Sequence, residues 1–188
     1  MNLSYAYHLL IIIGTSILTL ASVSAYGANS TDQSFAEHQI KAVYIYRLAN
    51  FIRWDHKTVT TPMLCAIGRD STTVTLEKLI ISRSESKRLH TMINLTEASL
   101  ECDLLYITES KLQILQTIPQ YSGLLTVSDS SETLNRGGMI ELRKLNQQIK
   151  PALSLANIEK ASLTVSSQLL KIAILDTPHP VNAGGRHE

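Results

Sequence analysis

Apolar positions along the chain switch between helical and strand periods, and the switches mark out the elements. Ile40, Val43, Tyr44, Leu48, Phe51 and Ile52 recur at the spacing of one helical face. Ala42, Ile45 and Ala49 widen that stripe, which predicts a helix buried along much of its girth. Ser34 is placed to cap it, with Glu37 three residues on as the capping-box partner. Arg47 interrupts the apolar surface, as a snorkelling stem or as a contact to a partner. Trp54 closes the helix, either as a lid on the core or as a half-exposed binding anchor. Beyond it the pattern predicts a strand over 63–68, a helix over 74–81, a strand over 91–95, a short helix or turn over 96–100, a strand over 103–107 and a helix over 111–117.

The stretch 123–175 has its own grammar. A short apolar run over 124–127 ends in a polar cluster, as a buried strand opening into a loop does. Gly137-Gly138 breaks any helix and launches a strand over 139–142, whose alternation with Glu141 and Arg143 predicts one wet face. Asn146-Gln147-Gln148 has the length and polarity of a hairpin connection to a return strand over 149–155, which Pro151 demotes to an edge or a bulge. A short helix over 157–161 and a final helix over 165–175 complete the pattern. Alternating strands and helices imply an α/β layered fold with a largely parallel sheet flanked by helices and a C-terminal antiparallel hairpin on the sheet edge.

The N-terminus changes the compartment. Residues 8–21 are dominated by Leu and Ile and lead to Val23-Ser24-Ala25, a small-x-small site, so residues 1–25 read as a cleaved signal peptide with Tyr26 as the mature N-terminus. The apolar run is shorter than the ~20 residues of a membrane span. Residues 26–33 read as a flexible lead, 34–175 as one α/β domain, and 176–188, with Pro178, Pro180 and Gly184-Gly185, as a disordered tail. A formal net charge of +1 argues against a nucleic-acid partner. Cys65 and Cys102, in an exported chain, fall in or just before two predicted strands. If those strands are neighbours a disulfide is within reach; the alternative is two buried thiols.

Candidate chemistry is sparse. The chain has neither a glycine-rich dinucleotide fingerprint nor a phosphate-binding loop sequence, and Gly137-Gly138 leads into a strand where phosphate binding needs a helix N-terminus. The six histidines are scattered without a zinc-ligand spacing. Asp70, Glu109 and Asp129 stand at predicted C-terminal strand ends, where turn and capping acids also sit. Without a partner base, these residues point to a binding protein with no catalytic, metal or cofactor site.

The wording of the chain resembles one family. Leu125-Thr126-Val127-Ser128-Asp129, Gly137-Gly138-Met139-Ile140 and Ser166-Ser167-Gln168-Leu169-Leu170-Lys171-Ile172-Ala173 are similar to the C-terminal part of the YfiR family of secreted periplasmic repressors of inner-membrane diguanylate cyclases. The resemblance continues upstream through Gln39-Ile40-Lys41-Ala42-Val43-Tyr44-Ile45-Tyr46, Phe51-Ile52-Arg53-Trp54 and Leu64-Cys65-Ala66-Ile67-Gly68. The pattern departs where the family has Gly-Asp and this chain Ser128-Asp129, Ile-Asn against Leu153-Ser154, and Gly against Ser162. The resemblance implies a non-enzymatic negative regulator that binds the periplasmic domain of such a cyclase and lowers cyclic di-GMP and biofilm formation. It also admits an outer-membrane lipoprotein that sequesters the repressor, and a homodimer. A periplasmic small-molecule sensor with its cleft near Ser128-Asp129 is the competing reading. Gly137, Gly138, Met139 and Ile140 carry no reactive group and read as architectural, while Arg47 and Trp54 are the candidate partner contacts.

Overall fold

The computed structural model describes residues 36–55, 61–84 and 87–176. The signal segment, the lead, Ser34 and the tail beyond Asp176 lie outside the described residues. Three apolar four-residue runs form the middle of the sheet: β2 (Leu64–Ile67), β4 (Leu104–Ile107) and β5 (Leu125–Ser128), buried at every position. Continuous burial with parallel pairing means that both faces are covered. Leu104 and Tyr106 point to one layer, which holds α1 (Glu37–Leu48) and α2 (Ser71–Arg83). Leu105 and Ile107 point to the other, with α3 (Leu95–Glu101) and α4 (Glu109–Leu112). Each fully buried Leu or Ile contributes roughly 1.5–3 kcal/mol.

Among the described residues the main sheet has seven strands; with β3 (His90–Thr91), β6 (Ile140–Leu145), β7 (Gln148–Leu153) and β9 (Ile174–Leu175) the order is β3-β2-β4-β5-β6-β7-β9. After β2 the chain passes through α2 to β3 on one side. It then passes through α3 to β4 on the other side, so the strand order reverses between β2 and β4. The predicted hairpin is β6 with β7, joined by Asn146 and Gln147 at φ 46° and 65°. Two consecutive left-handed residues make the two-residue turn that matches strand twist, and Gln148 joins the strand.

Several boundaries differ from the pattern. The third strand shrinks to His90–Thr91, and the helix expected over 111–117 to Glu109–Leu112. The first helix starts at Glu37 behind Ala36, with Gln39 bonding back to the Ala36 amide. Pro151 has the edge position expected of it: β9 pairs outside β7 only opposite Ala152 and Leu153, so the outer side is open at the proline and no ladder bond is asked of it. Glu141 is not on a wet face; it is 2% exposed and held by both arms of Arg143 at 2.7 and 2.9 Å. The final helix contracts to α6 (Ser167–Leu170), preceded by α5 (Leu155–Lys160) and β8 (Leu163–Val165). β8 pairs antiparallel with β1 (Ile52–Trp54), a segment whose apolar spacing continues that of the first helix. Ser162, at φ 59°, makes the turn that permits this.

Cys65 and Cys102 are bridged, with Cα atoms 6.0 Å apart and a sequence separation of 37. Closing a loop of that length contributes roughly 4 kcal/mol in the chain-entropy account. Gly137 takes φ 94°, and a Cβ there would lie 2.5 Å from the Ile118 carbonyl oxygen. Gly138 has no left-handed φ; its constraint is close approach, because a Cβ would meet Thr133 at 2.6 Å on its side chain and 2.8 Å on its carbonyl. Met139 precedes β6, and both Met139 and Ile140 are fully buried.

These positions predict opposite signs. Gly138→Val lowers stability by about 1 to 3 kcal/mol, while Ser162→Gly removes left-handed strain and raises it by about 0.5 kcal/mol. Urea unfolding of both variants beside the parent reads the two shifts.

Candidate functional site

Where the strand order reverses, open α/β sheets commonly bind ligands beyond their strand ends. In this protein the chain fills that position with its own side chains. A Cβ at Gly68, after β2, would lie 2.1 Å from Thr108 Oγ1 and 2.7 Å from Lys111, so the two loops are in direct contact. Next to them Tyr106 donates its single hydroxyl hydrogen toward two carboxylates, Asp70 Oδ2 at 3.1 Å and Asp129 Oδ1 at 3.0 Å. Asp70 uses its other oxygen to cap α2, accepting from the Thr73 amide at 2.7 Å. Asp129 Oδ2 accepts from Lys41 Nζ at 2.8 Å, and Lys41 reaches back one turn to Glu37 at 2.6 Å. Lys144 of β6 closes the chain of charges on Glu37 at 2.8 Å.

The electrostatics follow from burial. Desolvation, reinforced by the charges of Asp129 and Asp70, raises the Tyr106 phenol well above its usual 10. Burial pulls the Lys41 ammonium down, but its hydrogen bonds to Asp129 and Glu37 outweigh that and leave it above 10.5. Hydrogen bonds from Lys144 and Lys41 lower the Glu37 carboxyl from 4.5 to about 2. Glu37 remains 39% exposed, so screening limits its pairs to about 0.2–1 kcal/mol. Lys41 and Asp129 are each 12% exposed; leaving either unpaired costs roughly 2–4 kcal/mol.

The residues singled out in the sequence separate into different surroundings. Asp129 joins this cluster with Asp70, whereas Glu109 is exposed in the first turn of α4. Lys41 occupies the strand end near Ser128 and Asp129 that the small-molecule reading reserved for a cleft. Trp54 is not a surface anchor: it is 7% exposed, and its indole N–H donates to the Gly123 carbonyl at 2.9 Å. Gly137 and Gly138 are tied to neighbouring loops, their carbonyls accepting from Gln120 at 2.7 Å and Asn157 at 3.0 Å. Arg47 is exposed and lines an apolar groove of about 640 Å³ with Ile40, Val43, Tyr44 and Phe51 of the first helical segment, Leu79 of α2, and Leu169 and Ile172 around α6. Lys41, Tyr106 and Lys144 escaped sequence reasoning. A tyrosine inside a run of aliphatic strand residues is the one signal that could have pointed to them.

Among the described residues, no group of His, Cys, Asp and Glu is arranged to hold a metal. The cluster's side chains bond to one another and form a clasp that joins α1 and the α2 cap to the strand ends. A family model described as YfiR/HmsC-like matches residues 38–174, which span nearly all of this clasp, the groove and the disulfide. The chain belongs to the YfiR/HmsC-like family. A comparison with curated proteins gives no match. YfiR/HmsC-like proteins are periplasmic, non-catalytic regulators. No helix among the described residues is long and apolar enough to cross a membrane.

The clasp makes stability depend on pH at both ends of the scale. Tyr106 and Lys41 both have raised folded-state values, so their contribution is complete below pH 10 and is lost as pH rises through the alkaline range. Glu37, with a lowered value, contributes above 4.5 and loses its part as pH falls toward 2. Denaturation midpoints are therefore flat between these limits and fall steeply above pH 10, and Tyr106→Phe flattens the alkaline fall while lowering neutral stability by about 1 to 2 kcal/mol. An alkaline limb unchanged in Tyr106→Phe would refute this assignment.

Proposed function

We propose that this YfiR/HmsC-like protein is exported, cleaved near Ala25, and acts in the periplasm as a negative regulator. In this reading it binds the periplasmic domain of an inner-membrane diguanylate cyclase and holds it inactive, lowering cyclic di-GMP and biofilm formation. The observation that carries the reading is the family match over 38–174, which takes in almost the whole described domain. The structure is compatible with it in physical terms. A disulfide, a closed switch point and a clasped first helix make a rigid body suited to presenting a surface. A regulator of this kind needs no chemistry. It shifts its receptor from 1:99 to 99:1 if it prefers the inactive form by about 5.5 kcal/mol. An outer-membrane lipoprotein that sequesters the repressor would complete the circuit by competing for the same molecule.

The small-molecule alternative loses its proposed location, because Lys41 fills the space beside Asp129. The test is genetic and biochemical together. Deleting the gene raises cellular cyclic di-GMP, restoring the exported protein lowers it again, and mature protein beginning near Tyr26 captures a cyclase periplasmic domain from solubilised membranes. Unchanged cyclic di-GMP in the deletion strain, with no cyclase captured, would sink the proposal.

A further inference from the structure

We propose that the groove between α1, α2 and α6 is the surface on which the cyclase's periplasmic domain docks. Its occupant is an amphipathic helix that lays aliphatic side chains along Val43 and Ile172 and sets a carboxylate against Arg47. This assignment rests on the regulator reading above and adds the surface and the chemistry of the partner.

The makeup of α1 points to a covered groove. Ala42, Ile45 and Leu48 pack into the core, yet Ile40, Val43 and Tyr44 make a second apolar side on the same helix. Apolar side chains that extend beyond a helix's core-facing stripe mark a second surface that is normally covered. On α1 Ile40 and Tyr44 are partly covered by the core, while Val43 is 41% exposed and Ile172, across the groove, 52%. Charge narrows the choice of partner. Arg47 is the one cation among the groove residues, no carboxylate lines it, and Arg47 makes no hydrogen bond or ion pair among the described residues. An apolar trough with one unanswered guanidinium is complementary to an apolar segment that carries an acid.

Shape selects among occupants. Walls made of helices accept a helix by its i, i+3, i+4 anchors. Small ligands in sites of this size have most of their surface enclosed, and half-exposed walls do not enclose one. A two-fold contact of groove on groove would bring two Arg47 side chains into one seam with no acid between them. The wall is also set in advance, because Lys41 and Glu37 pin the same helix through the clasp.

The test uses full-length exported protein and purified periplasmic domains of the inner-membrane diguanylate cyclases of the same cell. Val43→Glu, Arg47→Glu and the uncharged Ile172→Ser are compared with Leu100→Glu, which alters an 83% exposed side chain in the layer on the other face of the sheet. Binding, melting temperature and oligomeric state are measured for each. The expected result is at least tenfold weaker binding for the three groove variants, parental affinity for Leu100→Glu, and unchanged melting and oligomeric state. Groove variants that bind as the parent does overturn the assignment and leave the regulator reading standing. Loss of self-association in step with affinity reassigns the groove to a second copy and also overturns it. A parent that binds no cyclase domain removes the regulator reading and this occupant with it.

Discussion

Tyr106 carries a hydroxyl into the middle of the sheet, beside Ala66 on one strand and Val127 on the other, in a hydrophobic layer. A buried phenol without a partner costs about 1–3 kcal/mol, so the surroundings must answer it. They do so with Asp70 from the β2–α2 turn and Asp129 from the end of β5, and these carboxylates in turn require a cation. Lys41 supplies it from α1. One hydroxyl thereby ties the first helix to the strand ends through α2's own cap, and the position of α1 follows from the need to satisfy it.

The placement closes the position at which such folds commonly bind ligands. In open α/β sheets the reversal of strand order leaves a crevice for ligands. Gly68 against Thr108, and the clasp beside them, take up that space. The largest apolar concavity among the described residues lies elsewhere, along the outer side of α1. A family of non-catalytic periplasmic regulators is in keeping with such a body. The Cys65–Cys102 bridge holds β2 against the segment that enters β4 from the opposite layer, so both faces of the central strands are fixed independently.

How much of this was legible in the sequence depended on the range of the interaction. The three central strands, the β6–β7 hairpin and the cysteine pair were readable because apolar runs and turn residues are local signals. The last stretch was not. Val165 and Leu169 share a helical period, but β1 offers Leu163–Val165 a strand edge, and the left-handed turn at Ser162 commits the chain to it. A serine there hides a signal that glycine would have given. Glu141 was misplaced for a similar reason: alternation assigns a charge to solvent, and only the fork of Arg143 makes its burial tolerable. The clasp was illegible as a unit, since Lys41, Asp70, Tyr106 and Asp129 meet across 88 residues of chain. Asp70 and Asp129 were visible only as acids at strand ends, and Lys41 as one more polar residue on a helix.

Amide hydrogen exchange in Lys41→Met tests the clasp most directly. Removing the ammonium leaves Asp129 without its cation, so amides of α1 should exchange faster by the equivalent of roughly 2–4 kcal/mol, while those of β4 and β5 keep their protection. An α1 that exchanges at the parental rate in that variant would show that apolar packing alone positions the helix, and would contradict the dependence of α1 on the Tyr106 clasp.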